Sequence, residues 1–367
     1  MPHAGKVFSS PKGIRSVSNS YLQEILEQPQ ALQRVPSAFT PHLQRDIGRL
    51  KAAIDGGKIR HVVITGMGGS LHSAYGSWLR LSALLPVPVT LWDTAELIQQ
   101  APSSVSSSTL LLAISQSGES AELKRLTEIA KTPFCFISIT NTLENSLARH
   151  AHLCVATNAG PENTVSTKTY TSGLAALYLV ESLLTSKWNG AVDTVQTIAE
   201  LLAPLIDQVR QSVDSILGFI EHEHTLSFIG RGASYSSAAM GALATVEATK
   251  LNAAAYTGGQ FRHGPFELIR DGFRSILFLG TGGTRSLNEK MCVDIARLGG
   301  RCLLIGSRPI GAIQSHNVRT VELPDASPAL LPILEIVPIQ LLMIPLARAR
   351  GFEPAAFLNS SKVTSVE

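Results

Sequence analysis

Ser115, Gln116, Ser117 and Ser120 place three hydroxyls and one amide within six residues, in the segment LLLAISQSGES that spans 110–120. Neutral donors crowded into a turn suit an anion. If a helix starts at the same turn, its free backbone N–H groups point at that anion too. The flanks supply such a turn: Leu110–Ile114 reads as a buried strand and Ala121–Lys131 as a helix. Gly118 reads as the point where the backbone closes on the ligand, since it carries no side chain. A serine N-cap accounts for one of these hydroxyls and not for three. The segment therefore points to a phosphate cradle.

The rest of the chain must position that turn. Its 367 residues allow two or three domains, and 44% hydrophobic against 16% charged residues supports a large buried core. The net charge of +3 is small and the basic residues are dispersed, which argues against nucleic acid as a partner. Cys135, Cys154, Cys292 and Cys302 have neither CxxC nor zinc-type spacing, so free thiols in a reducing cytoplasm and no metal are expected. His72, His150, His152, His222 and His224 read as surface or loop residues. The N-terminus MPHAGKVFSSPKG has no signal-peptide core. The longest apolar run, Ala329–Ala347, is interrupted by Pro332, Glu335, Pro338 and Gln340, so no membrane span is expected.

Apolar strands alternate with helical patterns along the chain. Strands are predicted at His61–Thr65, Thr109–Ile114, Phe134–Ile139, Leu153–Ala156, Leu226–Ile229, Ser275–Leu279, Cys302–Ile305 and Thr320–Leu323. Helices are predicted at Ser73–Leu85, Lys168–Ser186, Thr194–Gly218, Ser236–Leu251 and Ser286–Leu298. This alternation implies α/β architecture with mainly parallel sheets covered on both faces. The chain also repeats itself. HVVITGMGGSLHSA from His61 parallels TLSFIGRGASYSSA from Thr225, so that Gly66, Gly68, Ser70, Ser73 and Ala74 match Gly230, Gly232, Ser234, Ser237 and Ala238. LLLAISQSG parallels SILFLGTGG, and FCFISIT parallels CLLIGSR. A repeat of about 165 residues implies two copies of one three-layer αβα domain. The divisions are 1–39 for an N-terminal arm and helix, 40–190 and 205–348 for the two copies, and 349–367 for a tail. Ser115 and Gln116 correspond to Gly280 and Thr281, so the polar turn belongs to the first copy. Gly66-x-Gly68 is an incomplete dinucleotide fingerprint: Leu71 stands where it needs glycine, and Asp93 follows too late. The glycines read instead as a tight turn presenting Ser70, and no cofactor is expected.

These motifs, in this order, resemble two tandem sugar isomerase (SIS) domains, as in the isomerase part of the glucosamine-6-phosphate synthase family. The resemblance runs through EILEQP from Glu24, the Gly68–Ser70 turn, SQSGES, VSTK from Val165, Gly230-Arg231-Gly232, Glu247, AYTGGQFRHGP ending at Pro265, and Lys362 in the terminal SSKVTSVE. It implies that Ser70, Ser115, Gln116, Ser117 and Ser120 hold the phosphate. It implies that Val165, Ser166 and Ser361 line the sugar. Glu247 would move a proton between C1 and C2, His263 would open the ring from the neighbouring subunit of a homodimer, and Lys362 would form an imine with the open-chain ketose. The chemistry is consistent with the residue types. A positioned carboxylate can take a proton beside a carbonyl, histidine exchanges protons near neutrality, and an amine can hold a ketose as a Schiff base.

The chain also departs from the family. Met67 and Gly69 stand where the turn has cysteine and threonine, and Ala244 where a lysine precedes the glutamate. The segment before VSTK is one residue shorter. The chain begins Met1-Pro2-His3 without the cysteine of a glutaminase domain, and is expected not to use glutamine in cis. The expected function is a cytoplasmic enzyme that turns an amino-sugar 6-phosphate, glucosamine 6-phosphate, into fructose 6-phosphate and ammonia. The alternatives are a deglycase of 6-phosphorylated fructosamine or glucosyl-amine adducts, a phosphosugar isomerase, and a non-catalytic sugar-phosphate sensor.

Overall fold

The computed structural model describes residues 14–130, 133–220, 225–307, 313 and 315–364. The first thirteen residues, His222, His224 and the C-terminal end of the predicted helix at Lys131 lie outside them.

Two five-stranded sheets form, and every strand pair is parallel. The first contains β1 (His61–Gly66), β2 (Val89–Asp93), β3 (Thr109–Ile114), β4 (Cys135–Thr140) and β5 (Leu153–Ala156), in the order β2-β1-β3-β4-β5. The second contains β6 (Thr225–Gly230), β7 (Asn252–Thr257), β8 (Arg274–Phe278), β9 (Arg301–Ser307) and β10 (Val318–Leu323), in the order β10-β9-β8-β6-β7. The two orders are the same topology, and they bear out the duplication read from the sequence. β3 and β4 are buried at every residue, as befits central strands covered on both faces.

β7 is unread in the sequence, and β2 is legible there only as the strand region VPVTLW that leads into Asp93. Both are edge strands, paired on one side only, and both are mostly half-buried. The alanine-rich NAAAYT of β7 lacks the continuous β-branched run that marked the central strands. Asp93, the acidic residue weighed as a ribose ligand, instead caps α5 (Thr94–Gln100): its Oδ1 accepts from the backbone N–H of Ala95 at 2.9 Å and Glu96 at 3.3 Å.

Helices cover both sheets. α4 (Gly68–Leu84) follows β1, α6 (Ala121–Ile129) follows β3, and α8 (Lys168–Leu184) follows β5. In the second half the counterparts are α10 (Ser234–Thr249), α12 (Arg285–Arg297) and α13 (Leu331–Ala349). A 30-residue helix, α9 (Ala191–Ile220), joins the halves. Before the first sheet come α1 (Ile14–Leu26), α2 (Gln28–Arg34) and α3 (Pro41–Asp55). Of the described helices, α13 alone is long and apolar enough to cross a membrane, and 83% of that stretch is buried inside the protein. It is the packing centre of the second half, set against α9 and α10. His72, expected on the surface, lies within α4, where burial pushes its imidazole down to about 4.

Candidate active site

The order β2-β1-β3 places the chain reversal of the first sheet between β1 and β3. Their register pairs Gly66 with Ile114, so the loops after the two strands meet at one edge. A crevice at such a switch point is where open α/β sheets take ligands. The cavity here has a volume of about 320 Å³. Ser70, Ser115, Gln116, Ser117, Ser120, Val165, Ser166, Glu247, Ser361 and Lys362 all line it. Ten of the eleven residues singled out from the sequence thus converge on one place. His263 does not line it. It is exposed at the end of α11 (Gly258–Arg262), in the second half.

The cradle is built from two helix starts. Ser70 sits in the first turn of α4, and Ser120 is the N-cap of α6. Ser120 makes no side-chain cap hydrogen bond, and its Oγ is buried without a partner. A buried hydroxyl left unpaired costs about 1–3 kcal/mol, and Ser120 Oγ has no partner within the chain to offset it. Ser115 Oγ is otherwise engaged: it accepts from the Gly118 N–H at 3.0 Å and shapes the turn.

Gly118 corrects the sequence reading. Its φ is +64°, and a Cβ there would come 2.0 Å from Asn145 Oδ1. The space belongs to Asn145, which caps α7 (Ser146–His150), and not to a ligand. The glycine is required by the packing of the turn against that cap.

Glu247 and Lys362 line the same cavity as the serine turn. Glu247 lies near the C-terminal end of α10, on the same helix face as Leu243, four residues earlier. Burial raises its carboxyl above the usual range, although Lys362 and Lys250 pull the other way. Ala244, where the family has lysine, is wholly buried in the core. The α10 helix thus brings one carboxylate to the cavity and no cation.

The cation arrives on the tail. Lys362 Nζ donates to Glu162 Oε2 at 2.6 Å and to the Thr164 carbonyl at 2.6 Å. Glu162 was not among the predicted site residues. Its carboxylate also accepts from the N–H of Thr167 at 2.9 Å and of Thr169 at 3.1 Å, and so caps the start of α8. Burial pushes the Glu162 carboxyl up, but Lys362 and the Thr169 hydrogen bonds outweigh this and hold it below the usual range. The tail is pinned at both sides of the cavity. The Ala355 N–H donates to the Ala248 carbonyl at 3.3 Å, and the Ala121 N–H, at the start of α6, donates to the Thr364 carbonyl at 3.2 Å.

Glu122, Thr164, Leu243 and Phe357 also line the cavity and were not foreseen. Glu122 carried a signal: an acidic residue in the first turn of the helix that follows the cradle. Among the described residues, no group of three His, Cys, Asp or Glu side chains is placed to hold a metal ion.

The fold and the site together define a protein of two doubly wound α/β domains with a hydroxyl-lined turn at the switch point of the first. Comparison with known proteins agrees: the SIS domain model matches residues 58–183 and 219–349, and the chain belongs to the SIS domain family. It is 30% identical over 356 residues to the glutamine–fructose-6-phosphate aminotransferase (isomerizing) of Pyrococcus horikoshii, covering 94% of this chain and 57% of the relative. The chain therefore spans somewhat over half the length of that relative. Among solved structures it is similar to the C-terminal domain of glucosamine-fructose-6-phosphate aminotransferase from Francisella tularensis, with a TM-score of 0.79 at 23% identity over 98% of this chain and all of the other. It is also similar to glucosamine-6-phosphate deaminase from Thermotoga maritima, with a TM-score of 0.72 at 20% identity over 95% of this chain and all of the other.

Proposed function

We propose that the protein is an isomerising deaminase of an amino-sugar 6-phosphate, converting glucosamine 6-phosphate and water to fructose 6-phosphate and ammonia. The observation that carries this reading is that one cavity is lined both by the hydroxyl- and amide-bearing turn and by Glu247 and Lys362, whose charge acts on the Glu247 carboxyl. Ser70, Gln116, Ser117 and Ser120 take the phosphate, which fixes the sugar so that C1 and C2 lie toward Glu247. A carboxylate with raised basicity takes the proton from C2 of the open-chain sugar and returns it to C1. The resulting C2 imine is hydrolysed, water supplying the ketose oxygen and nitrogen leaving as ammonia. Lys362, whose Nζ lies 2.6 Å from Glu162 Oε2, must leave that contact to attack the same carbon as an amine. We further infer that His263 completes the site from a second copy of the chain, where it opens the pyranose ring.

A second reading is favoured by Ala244. With that position sealed in the core, α10 has no lysine to assist isomerisation. A deglycase that splits a 6-phosphorylated fructosamine uses the same cradle and the same carboxylate.

The test is ammonia release from the purified chain. Glucosamine 6-phosphate is expected to yield ammonia, and Glu247→Gln is expected to abolish the release while phosphosugar binding persists. Turnover of a fructosamine 6-phosphate adduct with no ammonia from glucosamine 6-phosphate would replace the deaminase by the deglycase. Binding without turnover of either would make the protein a sensor. An enforced monomer that keeps full activity would remove the role of His263.

A further inference from the structure

The two halves differ at one place that the proposed reaction does not use. In the second half, Ser234 Oγ donates to Glu335 Oε1 at 2.7 Å and Ser237 Oγ to Glu335 Oε2 at 2.6 Å. These serines are the counterparts of Ser70 and Ser73 in the repeat. Glu335 lies on α13, which holds the place in the second half that α8 holds in the first, and it is wholly buried.

In the first half the residue standing over Ser73 is Gly173, where a Cβ would lie 3.5 Å from Ser73 Oγ. It is one position further along α8 than Glu335 is along α13. Its missing side chain leaves a small polar cavity of about 20 Å³ beside the cradle, lined by Ser70, Ser73, Ser115, Thr169, Tyr170 and Gly173 among others. The Tyr170 hydroxyl on its wall is buried without a partner. Polar space of this size accepts about one small polar group. In the second half the counterpart serines are engaged instead by a carboxylate that the chain itself supplies.

The loop above it is altered in the same sense. Gly280 stands where the first half has Ser115, which removes one hydroxyl donor, and Thr281 puts a shorter hydroxyl where Gln116 has an amide. A carboxylate gripped by two hydroxyls is also what a free oxyanion makes with such donors.

We propose that the second half retains a remnant of the anion pocket and that Glu335 is its permanent occupant. The side chains at neighbouring positions of the two matching helices, Gly173 on α8 and Glu335 on α13, then decide which half admits a ligand. The ligand class of the remnant is a small oxyanion, either a free carboxylate or a phosphate.

The experiment uses the full chain and its Glu335→Gly variant, with formate and inorganic phosphate as probes and chloride of equal ionic strength as reference. Glu335→Gly is expected to gain roughly 2–4 °C in melting temperature from formate or phosphate beyond the shift shown by wild type. Glu335→Gln, whose amide still fills the space, is expected to follow wild type. Formate alone acting identifies a carboxylate pocket, and phosphate acting identifies a pocket open to both sources. A folded Glu335→Gly variant that gains no more than wild type overturns the proposal. Should that variant not fold, the mirror change decides. Gly173→Glu is expected to weaken fructose 6-phosphate binding by about 100-fold in calorimetry with the circular dichroism spectrum unchanged, because it sets a carboxylate against the phosphate. Retention of wild-type affinity in Gly173→Glu overturns the proposal. Only this second arm rests on the phosphosugar reading of the first half. The formate arm holds or fails whatever the first half turns over.

Discussion

Lys362 Nζ and Glu162 Oε2 lie 2.6 Å apart although 200 residues separate them. This contact ties the tail to the loop before α8 and sets an ammonium at the edge of the cavity. The carboxylate side of the pair is fully buried, and the lysine side chain is 20% exposed. Removing one partner of such a pair leaves the other uncompensated, which is costlier than the pair is worth.

Glu162→Gln is therefore expected to lower stability by about 3 kcal/mol, read as a fall in the denaturant midpoint. The Glu162 carboxyl is held below its unfolded value, so its contribution is present above about pH 4.5 and is lost as the pH falls through the lower folded value. Wild type and variant should converge in acid. A gap that stays constant with pH would show that the charge of Glu162 is not what stabilises.

Glu247 works the other way. Burial raises its carboxyl, so it remains protonated, and inactive as a base, to higher pH than an ordinary glutamate. The acid limb of the kcat/KM profile is expected above the usual glutamate range. Lys362→Met removes a charge that lowers the Glu247 carboxyl and is expected to move that limb further up. A limb that does not move in Lys362→Met would show that another group titrates there.

Ser120 separates stability from binding. Its Oγ is buried and unpartnered, so Ser120→Ala gives up no hydrogen bond within the chain. Its unfolding free energy is expected within about 0.5 kcal/mol of wild type, while phosphosugar affinity falls about tenfold. Unchanged affinity measured by calorimetry would take Ser120 out of the cradle.

Glu335 is a buried acid pushed up to about 7, with Tyr170 of α8 as the titratable group in its field. Its folded value is raised, so the stability it contributes is full below about pH 4.5 and is lost as the pH rises through about 7. The loss amounts to about 3 kcal/mol. Glu335→Gln is expected to flatten that part of the stability profile between pH 5 and pH 8. Parallel profiles for the two proteins would show that Glu335 does not titrate in this window.

Gly118→Ala is expected to cost roughly 1–3 kcal/mol, since φ is +64° and the new methyl would displace Asn145 from the cap of α7. The same shift would loosen the serine turn, so KM should rise. Wild-type stability in the alanine variant would refute the packing account of this glycine.

The cradle was legible because its chemistry is local. Ser115, Gln116, Ser117 and Ser120 sit between a strand and a helix, and a turn of that kind is determined by neighbours within a few residues. The duplication was legible because equivalent turns carry the same glycines and serines. The edge strand β7 was not, because a half-buried strand needs no continuous apolar run.

The sequence by itself determined the two α/β halves, the polar turn in the first half, and the residue types available for proton and amine chemistry. Only the tertiary structure decided what each of those groups faces. The switch point between β1 and β3 gathered ten of the predicted residues at one cavity and left His263 on the exposed surface of the other half. It gave the space at Gly118 to Asn145, gave Lys362 to Glu162, and set Glu335 on Ser234 and Ser237. The physical reason is range. Propensity and capping act over one or two turns of chain, whereas burial, charge pairing and the shape of a cavity are fixed by side chains that meet only after the sheets have packed.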